Sequence, residues 1–591
     1  MSKYNFYIII TLLFFITSPV YADNKSNLIY TSSGEVSGYL ANKVLNYEDI
    51  PYALPPINNL RWKAPREIYS PNQIIRSKDN NHCVQESFSM GGVASIENIT
   101  GTEDCLYLDI RTPKDVTSGP YPVMVWIHGG GNTSGLKDLY DFSTFVFKHN
   151  IIVVTINYRL GPFGWFYHPA IQGSQLDLDK SSNFGTLDII EALKWVNKNI
   201  ESFGGDPDNI TIFGESAGGH NVLSLLVSPE ANNLFDKAIS QSGYTTSIPQ
   251  NEAYLVNRSN PSFSNTSSEV IKELIENYKV LSEKDLKQEL IDMDSKYIFS
   301  KYLTKSNYEL PLLNNDDIVI PRTGLKIALS NEKYLKNIPV MAGYNRDEVK
   351  LWLATSKYFV DIKFSPIGSF FGIPKLRLKN EEAFEAFNYY RSESWKVRGV
   401  IEPLSSLNSV GNLNTYAYRF DWDDHRRFFV GDFQKLIGAA HATEIPLLTG
   451  NNKLVEGYGF LIYPNGPSKR FVSKNMMTLW ANFAKLGYPG KTTNGIEWRN
   501  YSYFDNKKNF LILDKKKQMK LEVIDTDYLS LIQELNIDDR VNNIEKCVIL
   551  FQMSTYVGND IFDKLRPYSN FKCNKNNAID FIKANSEIIE Y

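Results

Sequence analysis

The stretch from residue 209 to residue 219 restricts the possible folds more than any other part of the sequence. Residues 209–213 are rich in β-forming types, Gly214-Glu215-Ser216-Ala217-Gly218 is a turn of mostly small residues, and the apolar pattern of 220–227 predicts a helix. A serine on such a strand-to-helix turn holds its hydroxyl out of the sheet, and its flanking glycines avoid collisions with neighbouring backbone. The pentapeptide 214–218 alone also fits an ordinary glycine-rich loop before a helix. A catalytic role for Ser216 can therefore be inferred only if other parts of the chain supply its partner residues.

The composition indicates one large domain. The chain has 591 residues, of which 43% are apolar, and this is enough for a large core. It contains no Pro- or Ser-rich linker, no repeat and no long block of like charge, so a single domain with insertions is favoured over several domains. The net charge of −3 argues against nucleic-acid binding, which would require a basic face.

The first 22 residues have the pattern of a secretory signal peptide. Lys3 supplies the positive charge, residues 6–16 are apolar, and Val20-Tyr21-Ala22 offers a small-residue cleavage site. The apolar stretch is short for a membrane span, although an uncleaved anchor is an alternative. No later stretch of the sequence is apolar enough to cross a membrane. We therefore expect a secreted or periplasmic protein without a stable membrane span.

The four cysteines form two couples that are close in sequence, Cys83 with Cys105 and Cys547 with Cys573. Four cysteines allow three connectivities, and pairing within each couple is favoured because it closes short loops. A zinc site is the alternative, but the sequence has no Cys-x-x-Cys and no cluster of histidines. We therefore expect disulfides and no metal.

Strands and helices alternate along most of the chain, which predicts a mostly parallel sheet with helices on both faces. Continuous apolar runs are typical of strands buried on both sides, and apolar residues at i, i+4 and i+7 are typical of an amphipathic helix. Strands are predicted at 122–127, 151–157, 209–213, 237–240, 338–342, 416–420 and 510–513. Helices are predicted at 187–200, 473–486 and over most of 525–556. The polar residues 245–335 are interpreted as an insertion above the sheet, with helices near 268–277 and 283–290.

A serine nucleophile at neutral pH requires a base, and the chain has seven histidines. In the chain order that such strand-to-helix serines use, the base follows an acid that itself follows the serine. That order excludes four histidines before Ser216, and His220 is too close to Ser216 in sequence to face it. Of the remaining two, His425 lies in a highly charged turn that is expected to be solvated, whereas His441 lies among small residues that allow a loop to approach closely. His441 is the preferred base.

The acid is expected directly after the strand that ends at Ala342. Asp347 and Glu348 both occur there, and spacing alone does not choose between them. The acid would orient the imidazole and stabilise its charged form.

Stabilisation of an oxyanion requires backbone N–H groups that no side chain covers. Gly129-Gly130-Gly131, directly after a buried strand, offers such groups, and Ala217 after the serine should supply another.

The sequence resembles the type-B carboxylesterases, the family that includes cholinesterases and bile-salt lipases. The resemblance rests on segments that follow one another in family order over most of residues 30–500. They are 47–65, Glu103-Asp104-Cys105-Leu106-Tyr107-Leu108, 128–131, Asn157-Tyr158-Arg159-Leu160-Gly161, Phe203-Gly204-Gly205-Asp206-Pro207, 214–219, Ser240-Gln241-Ser242-Gly243, 343–348 and 438–444.

This resemblance implies an α/β-hydrolase fold over residues 23–540. Residues 541–591 resemble the family only loosely and are interpreted as a helical C-terminal extension that the Cys547–Cys573 disulfide staples to the rest of the chain. The resemblance also implies Ser216 as nucleophile, Glu348 rather than Asp347 as acid, and His441 as base. Three further sets of residues follow from it: oxyanion donors from Gly130, Gly131 and Ala217, Cys83–Cys105 as a flap disulfide, and, around the catalytic groups, Glu215 together with the hydroxyl of Ser242 beside the acid.

Two positions and one segment depart from the family pattern. Asn132 stands where an aromatic residue often follows the three glycines, so a more polar pocket mouth is expected, and Val349 replaces the usual glycine after the acid. The stretch between Cys83 and Cys105 contains no tryptophan, which argues against binding of a choline cation by cation–π contact.

The expected function is hydrolysis of small-molecule or lipid-like carboxylic esters through an acyl-enzyme on Ser216, without metal or organic cofactor. Alternatives are a lipase acting at lipid interfaces, a thioesterase or amidase, and a non-catalytic binding protein of the same fold. Activity should rise as His441 loses its proton, around pH 6–7 if its pKa keeps the free value. The sequence predicts no oligomeric state.

Overall fold

A sheet of twelve strands forms the centre of the described part of the chain. In chain order the strands are β1 Asn27–Thr31, β2 Gly34–Ala41, β3 Val44–Pro51, β4 Tyr107–Pro113, β5 Tyr121–Ile127, β6 Ile152–Ile156, β7 Gly205–Glu215, β8 Lys237–Gln241, β9 Val340–Asn345, β10 Thr415–Phe420, β11 Asn509–Leu513 and β12 Lys520–Val523. Their order across the sheet is β1-β2-β3-β4-β6-β5-β7-β8-β9-β10-β11-β12.

The centre of this sheet, from β6 to β11, is parallel throughout. The strands at the two edges pair antiparallel. Parallel strands require a crossover between them, and helices supply it. The predicted α/β class, with a mostly parallel central sheet and helices on both faces, is confirmed. Because parallel strands end at the same edge, the loops that follow β5, β7, β9 and β10 meet there.

The computed structural model describes residues 27–87, 92–93, 95, 97–255, 266–303, 313–363, 375–428, 431–455, 459–502, 507–555 and 560–585. The signal-peptide prediction for residues 1–22 falls outside these residues. Within them, no helix combines the length and the apolarity that crossing a membrane would need.

Twelve helices of the described residues have seven residues or more. They are α1 Ser143–His149, α2 Phe184–Asn199, α3 Ala217–Val227, α4 Ser267–Leu274, α5 Glu283–Asp292, α6 Ser295–Leu303, α7 Glu381–Lys396, α8 Glu402–Ser409, α9 Pro467–Leu486, α10 Tyr528–Ile537, α11 Asn543–Thr555 and α12 Lys575–Ala584. A π-helical turn, Val397–Ile401, joins α7 to α8. Shorter turns connect the remaining elements.

The core fills both faces of the sheet because the central strands are apolar on both sides. Every residue of β6 and of β8 is buried, as expected for strands covered by helices on two faces. Trp126 on β5 packs against Phe142 and Phe213 on one face, and α3 lies against β7 and β8.

The four cysteines form two disulfides with the favoured connectivity, Cys83–Cys105 and Cys547–Cys573. The first closes the segment between β3 and β4. The second joins α11 to the residues just before α12, so it closes the C-terminal helices on themselves and does not attach them to the rest of the chain.

Candidate active site

Ser216 lies at the junction between β7, which ends at Glu215, and α3, which begins at Ala217. Its backbone has φ 58° and ψ −122°, a strained combination for a residue with a side chain. An added Cβ would lie 2.5 Å from the Ile127 carbonyl oxygen at Gly214 and 2.0 Å from it at Gly218. The glycines are therefore required because β5 runs directly beneath the turn, as the sequence predicted.

The glycine loop after β5 touches the serine. A Cβ on Gly129 would lie 3.1 Å from the Cβ of Ser216. Gly130 and Gly131 have φ values of 96° and 62°, which favour glycine at both positions of this loop beside Ser216. The N–H groups of Gly130, Gly131 and Ala217 donate to no other residue in the described part of the chain. These three predicted donors therefore have no competing partner among the described residues.

The loops that carry the predicted acid and base are joined by backbone hydrogen bonds. The N–H of His441 donates to the carbonyl of Glu348 (3.1 Å), and the N–H of Asp347 donates to the carbonyl of Ala439 (3.0 Å). The N–H of Asn345, the last residue of β9, donates to Oε1 of Glu348 (2.8 Å). These bonds fix the Glu348 carboxylate relative to the sheet.

The structure separates the two candidate acids. Oε2 of Glu348 lies 2.6 Å from Nδ1 of His441, and both side chains are buried. The carboxylate of Asp347 turns away and accepts hydrogen bonds from Arg346, Asn388 and the N–H of Ala439. Burial alone would raise the pKa of Asp347, but Lys350 and Arg346 hold it at about 2.

The other ring nitrogen of His441 faces the strand-to-helix turn at residues 214–218, here called the elbow. Nε2 lies 3.1 Å from Oε1 of Glu215, the residue before the serine, and forms no hydrogen bond with any described residue. Burial lowers the pKa of His441, but the charges of Glu215 and Glu348 together raise it above the usual 6.5. In turn, burial raises the pKa of Glu215 well above 4.5, and the charge of His441 opposes this.

Comparison with known protein families agrees with this arrangement. The sequence model of the Carboxylesterase family matches residues 25–367 and 372–529, which is most of the chain. The chain belongs to the carboxylesterase family. It is therefore a carboxylic-ester hydrolase by family.

Two relatives illustrate the similarity. Para-nitrobenzyl esterase of Bacillus subtilis is 29% identical over 502 residues, covering 83% of this chain and 95% of its own. Carboxylesterase 1E of Rattus norvegicus is 31% identical over 490 residues, covering 78% of this chain and 84% of its own. A solved PNB esterase structure superposes with a TM-score of 0.62 at 26% identity, covering 84% of this chain and 97% of the other.

A third carboxylate lies beside the acid and base of this carboxylesterase, and the sequence analysis gave it no role. Glu444 is fully buried and accepts hydrogen bonds from Gln241 (3.1 Å) and Asn345 (2.7 Å). Burial raises the pKa of Glu444, and the hydrogen bond from Asn345 opposes this only in part. The sequence signal that could have identified Glu444 is its position three residues after His441, inside a segment that resembles the family.

Two tryptophans cover the imidazole, and no local motif indicated them. The rings of Trp352 and Trp395 lie 5.1 Å and 4.8 Å from the ring of His441 and stack on each other at 6.0 Å. Nε1 of Trp395 donates to the carbonyls of Ser242 and Gly243. Ser242 is thus close to the site through its backbone, while its buried hydroxyl bonds to no described residue.

The two histidines that were set aside have other partners. Nε2 of His220 bonds to the carbonyl of Thr246 at 2.7 Å, and its ring stacks on Tyr244. The expectation that His425 lies in a solvated turn is wrong. His425 is only 6% exposed, and its two nitrogens bond to the carbonyls of Ile462 and Gly438. Its acidic neighbours are paired with cations rather than solvated, Asp423 with Arg346 and Asp424 with Lys515.

Asn132 contributes less polar surface than its sequence position suggested. The residue is 7% exposed, and its Oδ1 accepts a hydrogen bond from Asn221 (2.9 Å). Its φ of 60° lies in the left-handed region that asparagine tolerates better than most residues.

One group of acids has the spacing of a metal site, but a lysine fills it. Asp49, Asp109 and Asp138 each have an oxygen within 2.8 Å of Nζ of Lys137, which is fully buried. Each of the three ammonium protons can therefore donate to one of the three carboxylates. This cluster ties β3 and β4 to the loop that follows the three glycines.

Proposed function

We propose that this carboxylesterase hydrolyses esters through a covalent acyl-enzyme on Ser216, with His441 as general base and Glu348 as its orienting acid. Nε2 of His441 takes the proton of Ser216 as Oγ attacks the ester carbonyl, and returns it to the departing alcohol. Water then attacks the acyl-enzyme by the same route and releases the acid.

The N–H groups of Gly130, Gly131 and Ala217 are proposed to hold the oxyanion of the tetrahedral intermediates. Their freedom from other partners supports this role, because a donor already bonded to protein could not serve it. No cofactor is required for these steps.

The observation that carries the proposal is the 2.6 Å contact between Glu348 and His441. A carboxylate bonded to Nδ1 keeps the proton on that nitrogen in the neutral ring, so the lone pair is on Nε2. That nitrogen is the one that faces the elbow. Ser216 and His441 form no hydrogen bond with each other in the described state, as is common before substrate binds.

The substrates are proposed to be small-molecule esters, since the relatives include a para-nitrobenzyl esterase and rat carboxylesterases. The test is hydrolysis of p-nitrophenyl esters of increasing acyl length by the wild type, Ser216→Ala and Ser228→Ala. Ser228 is a suitable control because its hydroxyl lies at the far end of α3, away from Ser216, and is buried with no described partner.

We expect activity in the wild type and in Ser228→Ala, and a loss of about 10⁴-fold or more in Ser216→Ala. An inactive wild type across all chain lengths would instead favour a binding protein of the same fold. A rate that rises sharply above the solubility limit of a long-chain ester would assign the enzyme to the lipases.

Export is also proposed, with cleavage after Ala22. The two disulfides support it, because such bonds persist mainly in oxidising compartments. N-terminal sequencing of the protein from the medium or periplasm should begin at Asp23, whereas a sequence beginning at Met1 on membranes would indicate an uncleaved anchor.

A further inference from the structure

The helices at the C-terminus lie beyond the family match, which ends at residue 529. They are nevertheless well buried. In α11, residues 545–550 are all buried, and consecutive buried residues require contacts on several sides of a helix. α11 packs against α7 on one side and α12 on another.

We propose that this C-terminal extension, residues 541–591, holds the catalytic groups in their working geometry and that Arg398 is the positioning residue through which it acts. The proposal rests on the proposed function, because its effect is on the reaction of Ser216 and His441. Two routes lead from the extension to His441.

The first route begins at Arg398 in the π-helical turn after α7. The residue is 3% exposed, and its Nη2 donates to the carbonyl of Ser554 (2.8 Å) in the last turn of α11. Its Nε donates to the hydroxyl of Tyr528. A cation is favoured at the C-terminal end of a helix, where carbonyls carry partial negative charge. The extension therefore supplies a fixed anchor for this turn.

The turn transmits that anchor to the site over a short distance. Trp395 lies three residues before Arg398, and its Nε1 is bonded to the carbonyls of Ser242 and Gly243 while its ring contacts His441. On the residue after Arg398, a Cβ added to Gly399 would lie 2.3 Å from the Gly243 carbonyl oxygen. The turn is thus packed directly against the backbone beside the active site. A shift of this turn would therefore move Trp395.

The same helix also reaches the acid loop. Asn388 lies seven residues before Trp395, two turns along α7, so the two share a face. Its Nδ2 donates to Oδ1 of Asp347 (2.8 Å), the neighbour of Glu348.

The second route passes through Tyr358. Its hydroxyl donates to Oε1 of Glu545 on α11 (2.6 Å), and its ring lies 6.0 Å from Phe581 on α12. Tyr358 follows Trp352 by six residues, and Trp352 stacks on Trp395 over His441. Both routes therefore end at the same pair of tryptophans.

The test compares Arg398→Met, Arg398→Lys and the control Arg566→Met with the wild type. Arg566 is an exposed arginine of the extension. The measurements are kcat and KM for p-nitrophenyl butyrate at 25 °C, with active enzyme counted by the acyl-enzyme burst. Near-UV circular dichroism reports tertiary packing of the aromatic side chains independently of activity.

We expect Arg398→Met to lower kcat about tenfold with KM changed less than threefold, and to change the near-UV spectrum. Arg398→Lys should recover part of kcat, and Arg566→Met should match the wild type. If Arg398→Met does not fold, Tyr358→Phe removes the hydrogen bond to Glu545 of the extension and should lower kcat two- to fourfold.

A folded Arg398→Met with wild-type kcat and spectrum, or Tyr358→Phe in its place with wild-type kcat, would overturn the proposal, even if its melting temperature fell. That result would leave the extension as a stabilising element only. Failure of the proposed function itself is recognised separately, because the wild type would then be inactive, and the spectra would still decide whether Arg398 positions the tryptophans.

Discussion

Oε1 of Glu215 lies 3.1 Å from Nε2 of His441, at the end of the imidazole ring opposite Glu348. The ring is therefore buried between two carboxylates, with the carboxylate of Glu444 also close enough to raise its pKa. This arrangement stabilises the charged imidazolium that forms in the proposed mechanism, when the ring takes the proton of Ser216.

The first prediction concerns pH. Because nearby carboxylates raise the pKa of His441, the acid limb of kcat/KM should lie above pH 6.5, higher than the free imidazole value would give. Glu215→Gln removes a negative charge that stabilises the imidazolium, so the pKa of His441 should fall and the acid limb should move to lower pH. The measurement is kcat/KM from pH 5 to pH 9, with Glu201→Gln, an exposed glutamate, as control. An unmoved acid limb in Glu215→Gln would contradict the argument.

The second prediction separates the two acids. Glu348→Gln should lower kcat by about 10³-fold or more, because the amide cannot stabilise the imidazolium and can favour the wrong tautomer. Asp347→Asn should cost less than about tenfold in kcat while lowering the melting temperature, since Asp347 bonds to Arg346, Asn388 and Ala439 rather than to the imidazole. Equal losses of kcat in the two variants would mean that the assignment of the acid is wrong.

The third prediction concerns the elbow. In Gly218→Ala the new methyl group would lie 2.0 Å from the Ile127 carbonyl oxygen, which is backbone and cannot move aside cheaply. The variant should melt several degrees lower or fail to accumulate as folded protein. Gly466→Ala is the matched control, since nothing lies within 4 Å of its added Cβ. The measurement is the melting temperature of both variants. A melting temperature of Gly218→Ala equal to that of the wild type would refute the steric argument.

The fourth prediction concerns the buried lysine cluster, in which one ammonium meets three carboxylates. Burial, with the charge of Asp138, raises the pKa of Asp109 well above 3.8 despite Lys137, and Oδ2 of Asp109 has no described hydrogen-bond partner. A raised folded-state pKa means that ionisation of Asp109 costs stability as the pH rises above about 4. Asp109→Asn should therefore raise the melting temperature at pH 8, and the gain should shrink as the pH falls towards 4.

Asp49→Asn is the control for this cluster. Both oxygens of Asp49 already accept hydrogen bonds, from groups that include Ser77 and Lys137, so an amide would lose an acceptor. The melting temperature of Asp49→Asn at pH 8 should therefore be lower than that of the wild type. A lower melting temperature for Asp109→Asn at pH 8 would show that Asp109 is needed as a charge.

The sequence was sufficient where one short segment determines the local structure. The elbow could be predicted because Gly214 and Gly218 have no sterically possible substitute beside β5, and the strands of the parallel centre could be predicted from their continuous apolar runs. The helix expected at 187–200 is observed as Phe184–Asn199, an ordinary shift at a helix end.

The sequence was not sufficient where the fold brings distant segments together. Trp395 precedes His441 by 46 positions in a helix whose local pattern indicates only partial burial, and its contact with the imidazole depends on the packing of α7. His425 was misjudged for a related reason: neighbouring charges predicted exposure, but the ring faces inward between the Ile462 and Gly438 carbonyls. The contact of Glu215 with His441 depends on how the two loops approach, which no local spacing encodes.

The parallel strands place Ser216, the glycine loop and Glu348 on turns that begin within three residues of the ends of β7, β5 and β9. Residues 245–335, between β8 and β9, supply none of the proposed catalytic or oxyanion-binding groups. The segment between β9 and β10, in contrast, carries Glu348 and the two tryptophans that contact His441. For engineering, this separates two tasks: sequence libraries belong in 245–335, and the strand ends and the β9–β10 segment are best left untouched.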